Sequence, residues 1–342
     1  MTDIPSSAMY PRFAGGGAIV FEEKAVPSAG HGQLVIQVKA NALCASELRA
    51  YREGSQVTPG HEAAGVVASA GPGTSTPVGT QGVVFLMDFC GECRSCRLGL
   101  TNQCLAKRAD YGFNRDGGYG PFMLVNENAF FAVGSDIPPA EATLLLDVMG
   151  TGGHSIERAR LVHPDVQSLL ITGSGPIGLG VLAMAKLTFG SDFPVLTTDI
   201  VPYRLDLSKR LGGLPVNVER ESLREGMKRH GFSDVDMAVD SSGKSSARRD
   251  AMNALAKRGV LVCVGHGEDL VLNVSPDLIA PERAVIGSEY FCYGELAKNL
   301  ERLRGNRGYL GQIVTHRYPV SEIAQAFKTF SRQNTGKVVV EQ

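Results

Sequence analysis

The sequence predicts an α/β protein in which a strand-rich domain is interrupted by a doubly wound parallel sheet. Three observations carry this expectation. Between about 168 and 267, apolar strands alternate with helical stretches, the pattern of βαβ units that build a parallel sheet. The first 150 residues differ, with short β-rich runs broken by frequent Gly and Pro turns. After about 285 the chain returns to a mixed pattern, two helical stretches and a closing strand. A length of 342 residues suits about two domains.

In chain order, VIQVKANAL (35–43), EAAGVVASAG (62–71) and GTQGVVFL (79–86) read as strands bounded by turn residues. GFNRDGGYG (112–120) is a glycine-rich loop, expected to be mobile, and is either a lid or an ordinary surface loop. SLLITGSGPIGLGVLAMAKLTFG (168–190) is a strand, a tight glycine turn and a helix. PVLTTD (194–199) and VDMAVDSSG (235–243) are further strands, and YRLDLSKRLG (203–212) and RRDAMNALAKRG (248–259) are helices. VLVCVGHG (260–267) is the fourth strand of this region. ELAKNLERLRG (295–305) and SEIAQAFKTFSR (321–332) are helical, and KVVVEQ closes the chain as a strand. The expected organisation is one domain over 1–148 and 286–342, with a dinucleotide-type domain over 149–285 inserted into it. No repeat of 20–50 residues is present.

Composition narrows the function. A net charge of −1 and a pI near 6.7 lack the basic excess of a nucleic-acid binder. No apolar run approaches the ~20 residues of a membrane-spanning helix, and MTDIPSSAMYPRF lacks the basic start and apolar core of a secretory signal. A cytoplasmic location is expected, where disulfides are disfavoured. Of seven cysteines, Cys90, Cys93, Cys96 and Cys104 crowd into one short stretch, FCGECRSCRLGLTNQC. Four thiolates so spaced can converge on one tetrahedral Zn²⁺; an iron–sulfur cluster is the weaker alternative. Such a closed set stabilises a fold and leaves no position open for catalysis.

Gly173-Ser174-Gly175-Pro176-Ile177-Gly178 fits G-x-G-x-x-G, and its place between an apolar strand and a helix gives the motif its meaning. Gly173 permits the turn, Gly175 lets the backbone approach a pyrophosphate, and Gly178 allows close helix–strand packing. The helix N-terminus offers unpaired N–H groups to phosphate. Asp199, 24 residues after Gly175 at the next strand end, can bind ribose hydroxyls and repel a 2′-phosphate, which favours NAD over NADP. Arg204 is the opposing signal, a cation near the same position.

ALCASEL, PGHEAAGVV, the four-cysteine lobe, GSGPIGLG, TTDIVPYRL and THRYPVSEIAQAF…GKVVV occur in an order that resembles the zinc-dependent medium-chain dehydrogenase/reductases, in their polyol and threonine dehydrogenase-like branch. The resemblance covers almost the whole chain. It implies a GroES-like catalytic domain, with a structural zinc lobe at about 88–106, joined to a Rossmann domain that binds NAD. It implies two zinc ions per chain and a homodimer or homotetramer. Cys44, His61, Glu62 and Asp147 match the catalytic zinc ligands or their outer partners. Ser46 matches the hydroxyl that relays the substrate proton, and Glu47 the acid that buttresses the zinc-bound histidine. Thr151 falls near the nicotinamide ring; Val264, Gly265, His266, Ser288 and Tyr290 match stretches lining the coenzyme cleft; Glu289 departs from the pattern, standing where polyol dehydrogenases tend to carry an arginine that faces substrate.

The sequence departs from the family at Ala45, often Gly, at Glu47, often Asp, and at Arg49, which replaces a histidine that ends the proton relay. The implied activity is reversible oxidation of a secondary alcohol, in a polyol, cyclitol or sugar derivative, to a ketone with NAD. A zinc-free quinone or enoyl reductase on the same scaffold, or a non-catalytic binding protein derived from it, are the alternatives. No nucleic acid or membrane is expected as partner.

Overall fold

The computed structural model describes residues 4–342. The chain forms two compact units: one runs to Leu146 and resumes over Cys292–Arg332 and Lys337–Gln342, the other comprises Asp147–Phe291 and Gln333–Gly336.

The first unit is built on a seven-stranded sheet whose central strand is Gln33–Ala42. Its sequence QLVIQVKANA is rich in β-branched and small residues, and Leu34, Val35, Ile36, Val38, Ala40 and Ala42 are all buried, as suits a strand covered on both faces. Ala63–Ala70 and Lys337–Glu341 flank it antiparallel, in registers that set Asn41 opposite Ala63 and Ala42 opposite Val339. One core gathers Ile36, Val38, Val67, Val84, Met123 and Phe130; another gathers Phe13, Leu43, Tyr119, Phe327, Phe330 and Val338. The strands Met87–Asp88 and Ala109–Asp110 pair and frame the cysteine-rich segment between them.

The second unit is a six-stranded, all-parallel sheet in the order Leu214–Asn217, Val195–Asp199, Leu169–Thr172, Val235–Asp240, Leu255–Cys263, Ala284–Gly287. This is the doubly wound order that reverses beside its first strand, here Leu169–Thr172. The two outermost strands are not anticipated by the sequence. Each has four residues, and Leu214–Asn217 contains Pro215, tolerated because that strand is an edge.

The helix expected over 248–259 instead spans Ser245–Ala254, and the following strand begins at Leu255. Leu255 is already extended and buried, and Arg258 adopts a left-handed φ of 64°. A register shift between Val235 and Met237 of the partner strand accommodates the extra residues, the signature of a bulge. Burial of Leu255 overrides the helix propensity of the Ala-Lys-Arg run. No helix among the described residues is long and apolar enough to cross a membrane.

Buried charge holds the sheet's carboxyl ends together. Asp240, fully buried, accepts from Thr172 Oγ1 (2.8 Å), Ser242 Oγ (2.6 Å) and Arg248 Nε (2.8 Å). The same guanidinium donates to the Gly265 and Glu268 carbonyls. Arg248→Met strands the Asp240 carboxylate without its cation, and loss of one partner of a buried pair costs about 3–5 kcal/mol. The expected result is a lower denaturant midpoint for this unit with the slope unchanged. A shift of less than a few tenths of a kcal/mol shows that the hydroxyl and amide donors suffice.

Candidate metal centre and coenzyme site

Strand register brings the first set of ligand side chains together. Asn41 faces Ala63 across the sheet, and Ala42 N–H donates to the Glu62 carbonyl at 3.2 Å. The exit of one strand and the entry of the next therefore lie side by side, with Cys44 just past the first and His61 and Glu62 just before the second. One ligand atom of each lies within 4.8 Å of the others. Thiolate, imidazole and carboxylate together form an N/S/O donor set suited to zinc.

A short turn, Ala45–Glu47, follows Cys44, and Glu47 at its third position reaches back to the Cys44 N–H (3.3 Å). This is one arm of a capping box. The Glu47 carboxylate, 1% exposed, also accepts from His61 Nδ1 at 2.7 Å and from the His61 backbone N–H at 3.2 Å. Nδ1 is thereby engaged by Glu47, so a metal held by this ring would be bound through Nε2. Ser46 sits exposed on the same turn. Arg49 is exposed and bonded to Glu53 at 2.7 Å, so its side chain is committed to its own helix.

Two residues of this neighbourhood escape motif reading. Lys337, fully buried at the start of its strand, forms an ion pair with the fully buried Glu62. Its signal is a lysine opening an otherwise apolar KVVV strand. Tyr119, also fully buried, donates its hydroxyl to Glu47 Oε2. Burial first, and the Glu47 carboxylate next, raise its phenol well above the ordinary value, so it remains a donor.

The glycine-rich loop expected to be mobile is instead fastened. Gly117 N–H donates to Thr58 O (2.7 Å), Gly118 N–H to Gly60 O (2.7 Å) and Tyr119 N–H to Pro59 O (3.1 Å). Asp116 accepts from the Thr58 N–H at 2.6 Å. Gly60 has φ +107°, and a Cβ there would lie 2.7 Å from the Tyr119 nitrogen, so this approach requires glycine. Phe113 of the loop lies against the His61 ring, centroids 5.1 Å apart.

The four clustered cysteines converge as well, their sulfurs all within 4.8 Å of one another. N–H groups of Cys96 and Leu105 aimed at the Cys93 sulfur bring that thiol down to about 6, whereas burial pushes Cys96 up to about 12. Four thiols this close cannot all ionise unaided; a divalent cation reconciles them. Cys263 is half-buried and Cys292 buried, and neither belongs to these two clusters.

In the parallel-sheet unit, Gly173 turns the chain with φ +91°. A Cβ on Gly178 would lie 1.9 Å from the Gly173 carbonyl oxygen, so the helix Pro176–Phe189 can approach the strand only with glycine there. Gly175 caps that helix and Pro176 opens it, with Ile177 in its first turn. Asp199 ends its strand and accepts from Ser174 N–H (2.8 Å), Ile200 N–H (2.8 Å) and Val201 N–H (2.9 Å). Arg204 Nη1 lies 3.9 Å from Asp199. Val264 and Gly265 both donate their N–H to the Asp240 carbonyl at 2.9 Å, which sets the loop carrying His266. His266 and Glu289 are 3.6 Å apart, both exposed. Asp147 and Thr151 are buried in the turn that opens this unit, and Ser288 and Tyr290 are buried near its end. The hydroxyls of Thr151 and Ser288 are buried without a hydrogen-bond partner among the described residues. Such groups are stable only when a ligand or water satisfies them, which fits a bound coenzyme.

Comparison with known proteins follows the same division. A model of the alcohol dehydrogenase GroES-like domain matches residues 30–135, and a model of zinc-binding dehydrogenases matches residues 176–304. The chain is 29% identical over 335 residues to an L-threonine 3-dehydrogenase of a Marinomonas species, covering 92% of this chain and 94% of that protein. It is 25% identical over 343 residues to the zinc-type alcohol dehydrogenase-like protein YphC of Escherichia coli, covering 95% and 96%. Its fold superposes on 2R,3R-butanediol dehydrogenase from Bacillus subtilis with a TM-score of 0.85 at 21% identity, over 98% of this chain and 100% of that one. With a GroES-like half, a doubly wound half and both family models in that order, the chain belongs to the zinc-dependent medium-chain dehydrogenases and is an oxidoreductase of the alcohol dehydrogenase type.

Proposed function

We propose that this enzyme reversibly oxidises a secondary alcohol to a ketone with NAD, using one catalytic and one structural zinc ion per chain. The observation that carries the reading is the convergence of Cys44, His61 and Glu62, one ligand atom of each within 4.8 Å of the others. Asp147 is assigned as a further ligand or outer partner of the same ion, and Cys90, Cys93, Cys96 and Cys104 as the structural site. When bound, zinc supplies Lewis-acid polarisation of a hydroxyl and the nicotinamide coenzyme supplies a hydride acceptor.

The chain's own residues do the rest. Glu47 holds the His61 ring, and Ser46 beside Cys44 takes the substrate proton and passes it toward water, since exposed Ser46 needs no further relay. Arg49, bonded to Glu53, does not extend that path. Gly173, Gly175, Pro176, Ile177 and Gly178 seat the pyrophosphate. Val264, Gly265, His266, Ser288 and Tyr290 line the coenzyme, while Thr151 and Glu289 meet the substrate.

Asp199 supports NAD over NADP, because a carboxylate at this strand end repels a 2′-phosphate. Arg204 is drawn toward that same carboxylate, at 3.9 Å, which reduces its availability to a phosphate. A polyol, cyclitol or sugar-derived hydroxyl is the favoured substrate class. The relatives named for L-threonine and 2R,3R-butanediol act on small secondary alcohols that carry a second polar group, which supports it. A homodimer or homotetramer in the cytoplasm accords with the habit of the family.

Metal analysis of the purified protein should return two zinc ions per chain, and Cys44→Ser or Cys93→Ser should each return one. An NAD-linked screen of polyols, cyclitols, amino alcohols and aliphatic alcohols identifies the substrate. On that substrate Cys44→Ser should lower kcat/KM by roughly a thousandfold, about 4 kcal/mol of transition-state stabilisation. Full turnover by metal-free Cys44→Ser protein refutes the zinc mechanism. Asp199→Ala should erode the preference for NAD over NADP by roughly tenfold; an unchanged ratio of kcat/KM values assigns the discrimination elsewhere.

A further inference from the structure

Tyr119 lies 58 positions beyond His61 in the sequence, outside every ligand motif, yet its hydroxyl reaches the carboxylate that holds the His61 ring. We propose that Tyr119 is a positioning residue of the catalytic metal site: its hydroxyl locks the Glu47 carboxylate so that Oε1 stays on His61 Nδ1 and Nε2 stays turned to the metal. The inference rests on the reading of Cys44, His61 and Glu62 as a metal site and adds to it the device that sets its geometry.

Glu47 serves four donors with two oxygens. Oε1 takes both His61 groups, the ring at 2.7 Å and the backbone N–H at 3.2 Å. Oε2 takes the Cys44 N–H at 3.3 Å and the Tyr119 hydroxyl. The Cys44 bond is long, so the phenol is the strong anchor of Oε2. Carboxylate torsions are broad and nearly two-fold, and a glutamate has one more rotatable bond than an aspartate. A carboxylate anchored on one oxygen alone can turn and carry the imidazole with it. The second anchor removes that freedom.

The tyrosine is itself fixed at both ends. Its ring is stacked on Phe13, centroids 5.8 Å apart at 15°, and meets the edge of Phe327 at 5.6 Å and 75°. Its backbone N–H bonds the Pro59 carbonyl at 3.1 Å, and Gly118 N–H bonds that of Gly60 at 2.7 Å. The same loop therefore grips the two residues before His61 with its backbone and the acid behind His61 with a side chain. Packing alone would accept phenylalanine in this apolar cluster; burying a hydroxyl costs free energy unless it is bonded, and this one is bonded to Glu47.

The test compares Tyr119→Phe with the unaltered, zinc-loaded full-length protein. One measurement is the transfer of each zinc to a chromophoric chelator; another is the visible absorption of cobalt-substituted protein. Tyr119→Phe should keep its fold by circular dichroism and keep the zinc of the cysteine lobe, while the His61-dependent zinc binds about 10–100-fold more weakly and the cobalt bands of that site shift. Phe13→Leu, which loosens the same cluster without touching the hydroxyl bond, should leave both readouts unchanged. If the hydroxyl acts through Glu47, the double variant Tyr119→Phe/Glu47→Ala should bind no more weakly than Glu47→Ala alone. Unchanged affinity in Tyr119→Phe, an effect that adds in full to that of Glu47→Ala, or an equal effect from Phe13→Leu overturns the proposal. If His61→Ala retains both zinc ions, the metal-site reading itself is wrong, an outcome distinct from a Tyr119→Phe protein that behaves as the unaltered one.

Discussion

A single buried carboxylate, Glu47, ties together the stretches of chain that carry the ligand side chains. Burying a charge is costly unless it is hydrogen-bonded on every side, and here four donors meet it: the Cys44 N–H, the His61 N–H, the His61 ring and the Tyr119 hydroxyl. That requirement shapes the local structure. The turn Ala45–Glu47 exists in the form that lets the acid fold back on Cys44, and Gly60 adopts a left-handed conformation to admit the 112–120 loop. The loop in turn delivers Tyr119. A stretch whose composition reads as flexible is held by the needs of one anion.

The parallel-sheet unit solves a related problem with the same economy. The sheet reverses its order beside Leu169–Thr172, which leaves a crevice at the carboxyl ends of the strands. The polar groups there need a fixed scaffold before they can receive a ligand. Asp240 provides it, drawing in Thr172, Ser242 and Arg248 and through Arg248 the carbonyls of Gly265 and Glu268. The loop that carries Val264, Gly265 and His266 is thus set by a buried ion pair, and the glycine turn by close packing of Gly178 against Gly173.

What the sequence discloses and what it conceals follow from range. The convergence of the cysteine lobe, the glycine turn that opens a helix and the place of Asp199 at a strand end are legible because local spacing marks each one. Tyr119, Lys337 and the Arg248–Asp240 pair are not, because each acts through a partner that sheet register or loop docking brings near. Lys337 meets Glu62 across 275 positions, carried there by the two strands that flank Gln33–Ala42 on either side. The four-residue outer strands are too short to show a period, and the helix ending at Ala254 yields to a buried Leu255 that no local pattern marks.

Charge balance explains why these hidden partners have the chemistry they have. Around the proposed metal site, the Cys44 thiol and the Glu62 and Glu47 carboxylates gather negative charge in a mostly buried setting. Lys337, paired with Glu62, offsets part of it, and the proposed divalent cation would offset more, which a low-dielectric interior favours. A lysine or arginine in place of Tyr119 could also bond Glu47, but its charge would repel the proposed cation nearby. A phenol held protonated by burial and by the anion beside it supplies the hydrogen bond and no charge. The geometry of the site needs a donor at that position, and a neutral donor leaves the anions to the cation.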